Sequence, residues 1–520
     1  MVPLAYNVRI SNTMKEKDNV SVHDDLEVDL KEEYAGPKAG HDRAEILVGD
    51  ATLEDLAPTE KEMSKLTWKI DLCIIPILSV CYIFYYVDKT TLSYAAIFGI
   101  KEDLELKGTE YSWLSAIFYF GFIAWSFPTN YLMLKSPVAK YLGINICLWG
   151  IFLMIQAACH NFASLAVVRA LGGAAEACSD PSFMLVTSMW YTRRQQPVRI
   201  GLWYSANGVG IACGGLLGYA IGNINGSLPS WKYEFLIIGA LCTAWGVVVF
   251  FFLPDSPLDA KFLTEREKKL LVLKLRENQT GIQSNVLKIS QLKEAVLDYN
   301  VWIFFLIAMF GNIPNGGFSN FGTLIIQGFG FSTLGTTLLQ MPYGAVISLS
   351  ILAAVYINDR LLPVGKGRCI AVIAFMMPNI AGAFGLYFLS DDQKAGRLVC
   401  YYLTGPYNAA FVLFLSLSTS NIAGHTKKIA TNTFLFLGFC VGNIAGPFFY
   451  KTSQAPRYPL GIGSILFSHF VEIALVILLG LLLRHENKKR DKQADNSQND
   501  LSNAFMDMTD KENKNLRYVY

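Results

Sequence analysis

Long apolar runs alternate with short polar breaks from Thr67 to Arg484. A helix crossing hydrocarbon needs about 20 mostly apolar residues, because each backbone polar group must find its partner inside the segment. Runs of that length lie near 71–95, 111–134, 138–159, 162–187, 199–221, 233–253, 300–320, 331–357, 369–389, 397–421, 429–450 and 461–483, and they predict twelve transmembrane helices. The connections are short except from Asp255 to Asp298, which holds Glu265, Arg266, Glu267, Lys268, Lys269, Arg276 and Glu277 and divides the runs six and six. The expectation is an all-α membrane protein in two six-helix halves. Its parts are a disordered cytoplasmic tail over 1–67, a first half over 68–254, a central cytoplasmic loop over 255–298, a second half over 299–484 and a cytoplasmic tail over 485–520.

The halves echo each other. Tyr111-Ser112-Trp113-Leu114 opens span 2, and Phe331-Ser332-Thr333-Leu334 opens span 8. Gly214, Gly218 and Gly222 in span 5 match Gly438, Gly442 and Gly446 in span 11, each set at i, i+4, i+8. Such ridges of small residues bring helices close in lipid, and packing alone explains them. Two related halves are the layout of transporters that rock around a central site.

Orientation follows from Lys and Arg. Lys135, Lys140, Arg193, Arg194, Arg199, Arg360, Lys366, Arg368, Lys427 and Lys428 fall in inward loops if the N-terminus is cytosolic. Lys101, Lys107, Lys232, Lys394, Arg397, Lys451 and Arg457 fall outside. The clusters Lys61, Lys65, Lys69 and Arg484, Lys488, Lys489, Arg490 tip the balance towards both ends inside.

Composition narrows the class. The chain has 520 residues, 52% hydrophobic and only 17% charged, with a mean hydropathy of +0.33. A soluble domain is nearer one quarter charged, so an ordinary cytosolic enzyme and a secreted disulfide scaffold are both excluded. A net charge of +2 gives no sign of a nucleic-acid partner. The ten cysteines all fall in apolar runs and none forms C-x-x-C, so they read as small buried hydrophobes rather than metal ligands. The N-terminal stretch has no apolar core of the signal-peptide kind.

Chemistry should lie where ionisable groups interrupt apolar helices, since one at a helix centre costs about 2.5–3.5 kcal/mol and needs a cavity or a partner. Asp88 and Lys89 in span 1 are adjacent, hence about 100° apart on a helix. Either one looks into the bundle, or both snorkel to the outer interface. Arg169 and Glu176 in span 4 are seven residues apart, on one face and about 10.5 Å apart. Ala170, Gly172, Gly173, Ala174 and Ala175 between them leave that face open. A cation and a carboxylate facing one cavity suit proton-coupled anion transport: one holds the substrate's charge, the other takes up and releases a proton. The alternative is structural pairing with other helices. Glu472 in span 12 reads as structural or interfacial, and His425 with Lys427-Lys428 as a solvated turn.

Amides and aromatics complete the inventory. Span 7 has Asn312, Pro314, Asn315, Gly316, Gly317 and Asn320, which predict a broken or flexible helix beside a cavity. Gln340 and Tyr343 in span 8, Tyr407 and Asn408 in span 10, and Asn432 and Asn443 in span 11 follow. Asn312, Asn315, Tyr343, Tyr407 and Asn408 are candidates for hydrogen-bonding a substrate, with helix packing as the other reading. No phosphate-cradling glycine loop, H-E-x-x-H or nucleophile triad is found, so neither catalysis nor nucleotide-driven pumping is expected, and no cofactor or metal is called for. An ion gradient is left as the energy source.

Several segments resemble the major facilitator superfamily, and within it the fungal anion:cation symporters of the allantoate permease branch. They are Tyr86-Val87-Asp88-Lys89-Thr90-Thr91-Leu92-Ser93-Tyr94-Ala95; Arg169 through Pro181, similar to R-x-x-x-G-x-x-E-A; Trp190 to Arg199; Leu253-Pro254-Asp255-Ser256-Pro257; and Ser420 through Lys428 on to Gly442-Asn443-Ile444-Ala445-Gly446-Pro447. Lys89 stands where the branch usually has Arg, a point charge in place of a planar fork. The general loop motif is absent between spans 2 and 3, with a remnant at Asn358-Asp359-Arg360 and Gly367-Arg368.

The resemblance covers roughly Trp68 to Arg490. It implies the major facilitator fold and proton symport of a small organic anion: allantoate, ureidosuccinate, a dipeptide, nicotinate, pantothenate, biotin, cysteine or a sulfonate. In that reading Lys89 and Arg169 bind the anion, and Glu176 and Asp88 carry the proton. The chain would work as a monomer in the lipid bilayer, in the plasma membrane or else the endoplasmic reticulum. The rival expectations are a nutrient sensor on a transporter fold and a uniporter or exchanger of a neutral solute.

Overall fold

The computed structural model describes residues 56, 58–192, 195–278, 288–361, 367–493, 508–513 and 515–520. Most of the N-terminal tail, Arg193, Arg194, Lys366 and residues 279–287 of the central loop lie outside them. Every regular element among the described residues is a helix. Eleven are long and apolar enough to cross a membrane: Glu60–Ile97, Val138–Gln156, Phe162–Trp190, Gln196–Gly222, Ser230–Phe252, Tyr299–Gly328, Thr333–Asp359, Arg368–Phe388, Lys394–Asn421, His425–Phe449 and Pro459–Lys492. Glu110–Lys135, 26 residues long, completes the series as span 2. Its Tyr, Trp, Ser, Thr and Asn side chains dilute its hydropathy, but at about 39 Å it exceeds the hydrocarbon thickness. Spans are numbered 1 to 12 in this chain order.

Span 1 begins at Glu60, inside the stretch expected as tail, because the Thr59 hydroxyl accepts from the Glu62 N–H and caps it. Its first turns bind the central loop. Arg266 pairs with Glu62 at 2.8 Å and Glu267 with Lys69 at 2.7 Å, both from the loop helix Glu265–Asn278. Burial and the Lys69 ammonium act in opposite directions on Glu267, and its carboxyl ends below the usual range. Asp255 accepts from the N–H of Ala139 at the start of span 3, and Arg199 makes a two-pronged bond to Asp71.

Prolines decide where helices break. A proline ring clashes with the carbonyl four residues back and lacks an N–H. Span 4 stops at Glu176 and restarts at Ser179, with Pro181 just inside the second piece. Span 8 is interrupted after Leu338, four residues before Pro342. Span 10 stops at Leu403 and restarts at Tyr407, directly after Pro406. Spans 4 and 10 are equivalent in the two halves, so the repeat extends to their interruptions. Span 7, expected to be broken, is one helix of 30 residues that carries Pro314 inside it. It is packed against spans 11, 12 and 1 along its length, which holds it together through the proline.

Each half is internally knit, and the halves meet in a repeated pattern. Span 5 lies on span 8, span 2 on span 11, and span 1 on span 7. The glycine ridges serve the inner contacts. A side chain at Gly438, Gly442 or Gly446 would strike the carbonyls of Phe305, Met309 and Ile313 on span 7. Across the halves, Gly208 and Gly344 each lie against the other's helix so closely that a methyl group would meet a backbone carbonyl.

The C-terminal tail is structured in part. Span 12 continues as helix to Gln493, and residues 508–513 and 515–520 fold back under the second half. Arg490 donates to the carbonyls of Asp510, Asn513 and Leu516, and Asn421 exchanges two bonds with the Val519 backbone. Lys427, expected in a solvated turn, is fully buried. Its ammonium lies 2.6 Å from Asp298, 2.8 Å from Asp510 and 2.9 Å from Glu294. Those carboxylates come together as metal ligands would, but the ammonium occupies the place between them.

Candidate functional site

The site starts from span 1. Tyr86, Thr90, Ser93 and Tyr94 line a small cavity between the halves, with Asn207 from span 5 on the same side. Asn315, Tyr343 and Tyr407 close it from the second half. The enclosed volume is about 20 Å³, room for about one water.

On the side away from the chain ends, hydrogen bonds bolt the halves together. Thr323 donates to the Ser93 carbonyl at 2.7 Å, and their hydroxyls meet at 2.7 Å. Tyr111 donates to the Asn320 carbonyl at 2.7 Å and Ser112 to the Pro447 carbonyl at 3.0 Å. Deeper, Asn207 donates to Asn408 at 3.1 Å.

Lys89 is buried at the seam. Its ammonium lies 4.0 Å from the centre of the Tyr85 ring, 4.9 Å from Tyr86 and 5.3 Å from Phe439 of span 11. No hydrogen-bond acceptor reaches it. Aromatic faces stabilise a desolvated cation by about 2 kcal/mol, less than the hydration they replace, so the charge needs an anion. Glu176 and Asp180 both act on it electrostatically. They flank the break in span 4: Glu176 ends the first piece and Asp180 lies in the first turn of the second. Glu176 is wholly buried and neither oxygen makes a well-formed hydrogen bond, though Tyr85 approaches both acids.

Arg169 does not share this place. Its guanidinium is buried, donating to the Leu114 carbonyl at 2.7 Å and to Gln156 at 3.4 Å. It interacts electrostatically with Asp88, which accepts from the Trp149 indole at 2.8 Å. Neither Arg169 nor Glu176 is among the residues lining the small cavity, although the two charges act on each other within one helix piece, Phe162–Glu176. The helix breaks only after Glu176, so both stay on one piece, and the Arg169 guanidinium is engaged by spans 1, 2 and 3.

Of the amide and aromatic candidates, Asn315, Tyr343 and Tyr407 line the cavity, and Asn408 is one hydrogen bond behind it. Tyr407 donates to Asn315 at 2.7 Å, and Asn315 to Asn443 at 2.8 Å. Asn312 bonds its own helix and approaches Asn443, away from the cavity. The break in span 10 leaves the Tyr407 N–H free of its helix, and Asn379 accepts it at 3.0 Å. Glu472 meets His469 at 3.2 Å, both buried, in line with a structural role.

Sequence reasoning missed Asp180, Glu234, Asn207 and His469. Asp180 carried a signal, an acid four residues after Glu176 and next to Pro181. Asn207 had none, because its value lies in facing the other half.

Comparison with known proteins agrees with this architecture. Residues 78–498 match the Major Facilitator Superfamily model. A transporter of Schizosaccharomyces pombe is 37% identical over 95% of this chain and 92% of its own. Allantoate permease of Saccharomyces cerevisiae is 32% identical over 90% of this chain and 88% of its own, and the thiamine pathway transporter THI73 of the same yeast is 34% identical over 88% and 86%. The solved inward-facing, unoccupied structure of a bacterial homologue of the human lysosomal transporter Spinster shares the fold with a TM-score of 0.56, at 14% identity over 78% of this chain and 94% of that one. These are transporters and permeases, and no enzyme chemistry is called for. A bundle in two repeated halves, a polar cavity at their seam and a family match over most of its length place this membrane transporter in the Major Facilitator Superfamily, among the fungal relatives of allantoate permease.

Proposed function

We propose that the protein is a proton-coupled symporter that imports a small organic anion by alternating access. The observation that carries this reading is the Lys89 ammonium, caged by aromatic rings at the seam of the halves with the acids Glu176 and Asp180 beside it. One cation faces two carboxyls in a low-dielectric setting, so one carboxyl must hold a proton for the charges to balance. Asp180 lies at a helix N-terminus, where the dipole favours a carboxylate. Glu176 closes the preceding helix, where the dipole opposes one. Glu176 therefore carries the proton and Asp180 balances Lys89.

An entering anion competes with Asp180 for Lys89. Asn315, Tyr343 and Tyr407 offer it neutral hydrogen bonds, with Asn408 and Asn312 supporting them. Arg169 and Asp88 keep a positive and a negative charge compensated behind the site, and their influence on the anion is through the field. The anion enters when the halves part, since the closed cavity holds about one water. One chain supplies both walls, so a monomer suffices. The kinship with a permease supports uptake across the plasma membrane, with the chain ends in the cytosol.

The test is reconstitution in liposomes with an inward proton gradient, screening labelled allantoate first and then other small carboxylates, ureido acids, dipeptides, cysteine and sulfonates. Accumulation should collapse when the gradient is dissipated. Glu176→Gln should lose pH-driven accumulation while exchange of preloaded anion continues. Uptake that ignores the gradient, or a neutral solute taken up without proton current, would overturn the reading.

A further inference from the structure

We propose that Glu234, together with the Tyr94 hydroxyl, forms a second proton-binding site, placed between the central cavity and the membrane face opposite the chain ends. The proposal rests on the symport reading above and adds a station to it. Glu234 is in the first turns of span 6 and has no exposed surface. Among the described residues neither of its oxygens has a hydrogen-bond partner, and no charged side chain acts on it. A carboxylate in that setting is neither solvated nor paired, and such a group stays neutral by holding a proton.

The surroundings exclude the other occupants. Tyr94 on span 1 feels the charge of Glu234 electrostatically. Span 3 carries Lys140 and span 5 carries Arg199, each at the opposite end of its helix. At the near rim Asp103 accepts from the Trp231 indole at 2.6 Å, and Lys232 lies over the Trp231 ring. One carboxyl and one phenol provide too few oxygens for calcium or magnesium, which take six or more, and none of the nitrogen or sulfur ligands zinc favours. A proton needs a single lone pair.

The position connects this group to the transport site. The Tyr94 hydroxyl is buried with no well-formed hydrogen bond among the described residues, though Thr90 approaches it, and Tyr94 lines the central cavity. Gly214 leaves open the space beside it: a methyl group there would lie 3.1 Å from the Thr90 hydroxyl and 3.7 Å from the Tyr94 hydroxyl. Those two hydroxyls are therefore neighbours, and Thr90 also lines the cavity. In this proposal Glu234, Tyr94 and Thr90 are the successive proton-bearing groups between the far membrane face and the cavity, which Tyr94 and Thr90 line. Together with Glu176 this gives the first half two carboxyls without a balancing cation, hence two protons per closed molecule.

The experiment uses the full chain in liposomes, with labelled allantoate or the better anion from the screen as probe. Glu234→Gln keeps the shape and removes the titration. It should depress proton-driven accumulation at least ten-fold, flatten its dependence on far-side pH, and lower the protons moved per anion from two towards one. Tyr94→Phe should shift the pH profile in the same sense by a smaller factor. In the parental protein, dicyclohexylcarbodiimide, which attacks protonated carboxyls in apolar surroundings, should label Glu234, with labelling that declines as pH rises. Glu234→Gln with the parental pH profile and stoichiometry, alongside a defective Glu176→Gln, would overturn this proposal and leave symport standing. So would failure of the carbodiimide to label Glu234 at any pH. If both variants behave as the parent and no proton current exists, symport itself falls.

Discussion

Lys427 and Asp510 stand 2.8 Å apart with neither side chain exposed, although one opens span 11 and the other belongs to the closing segment of the chain. Removing one member of a buried charge group leaves its partners uncompensated, at about 3–5 kcal/mol when the pair is alone. Asp298 and Glu294 remain on Lys427, so Asp510→Asn should cost near the lower end of that range, and a chain ending before residue 508 somewhat more. Melting temperature in detergent is the measurement, and burial predicts that added salt will change the difference little. Equal melting of both variants and the parent would show the clasp to be idle.

The Tyr518 hydroxyl belongs to the same clasp. Burial, and then the Asp510 carboxylate that accepts from it at 2.8 Å, push its ionisation far above the usual phenol range. The folded pKa is raised, so the group contributes stability below the ordinary phenol value and loses it as pH rises above about 10. Tyr518→Phe should flatten the alkaline limb of the melting-temperature profile. An unchanged alkaline limb counts against this.

Asp88 and Arg169 are mutually compensating inside the first half. Asp88→Asn strands a buried guanidinium and should cost about 3–5 kcal/mol. Combining it with Arg169→Gln should restore a large part of that loss. A double-mutant cycle on detergent melting reads the coupling directly, and strict additivity of the two changes would mean that the charges do not sense each other.

The Ser93–Thr323 contact holds the far side shut. Thr323→Val deletes the bond to the Ser93 carbonyl and the hydroxyl contact, each worth about 1 kcal/mol, so the ratio of closed to open molecules should fall about thirty-fold. A cysteine placed at Ser319, which lines the cavity, should then react faster with a membrane-impermeant thiol reagent added from the far side. Labelling at the parental rate would place the gate elsewhere.

Lys89 is a buried positive charge that lies over the ring of Tyr86, a residue lining the cavity. Lys89→Met should lower the affinity for anions by about 1.5–3 kcal/mol, the worth of a charged hydrogen bond, or ten- to a hundred-fold. Lys89→Arg keeps the charge but has to fit a planar fork into the cage of Tyr85, Tyr86 and Phe439, so it should recover part of the affinity. Equal affinity in the Met variant would remove Lys89 from the binding site.

What the chain itself determined is whatever depends on local composition. Apolar runs of membrane length have one solution in lipid, so the helices, their number and their grouping were legible. So were the glycine ridges, because spacing along one helix fixes which residues share a face, and so was Lys89 as a charge that requires a reason. Tertiary structure decided the partners. Arg169 and Glu176 share one unbroken helix piece, yet Leu114 and Gln156 claim the guanidinium while Glu176 acts on Lys89. Pro181 broke span 4 while Pro314 left span 7 whole, because neighbouring helices and not the proline alone settle that contest. Lys427 looked like a loop residue until a segment far along the chain arrived to bury it. Local pattern states which groups need a partner, and only the packed bundle states which partner each one meets.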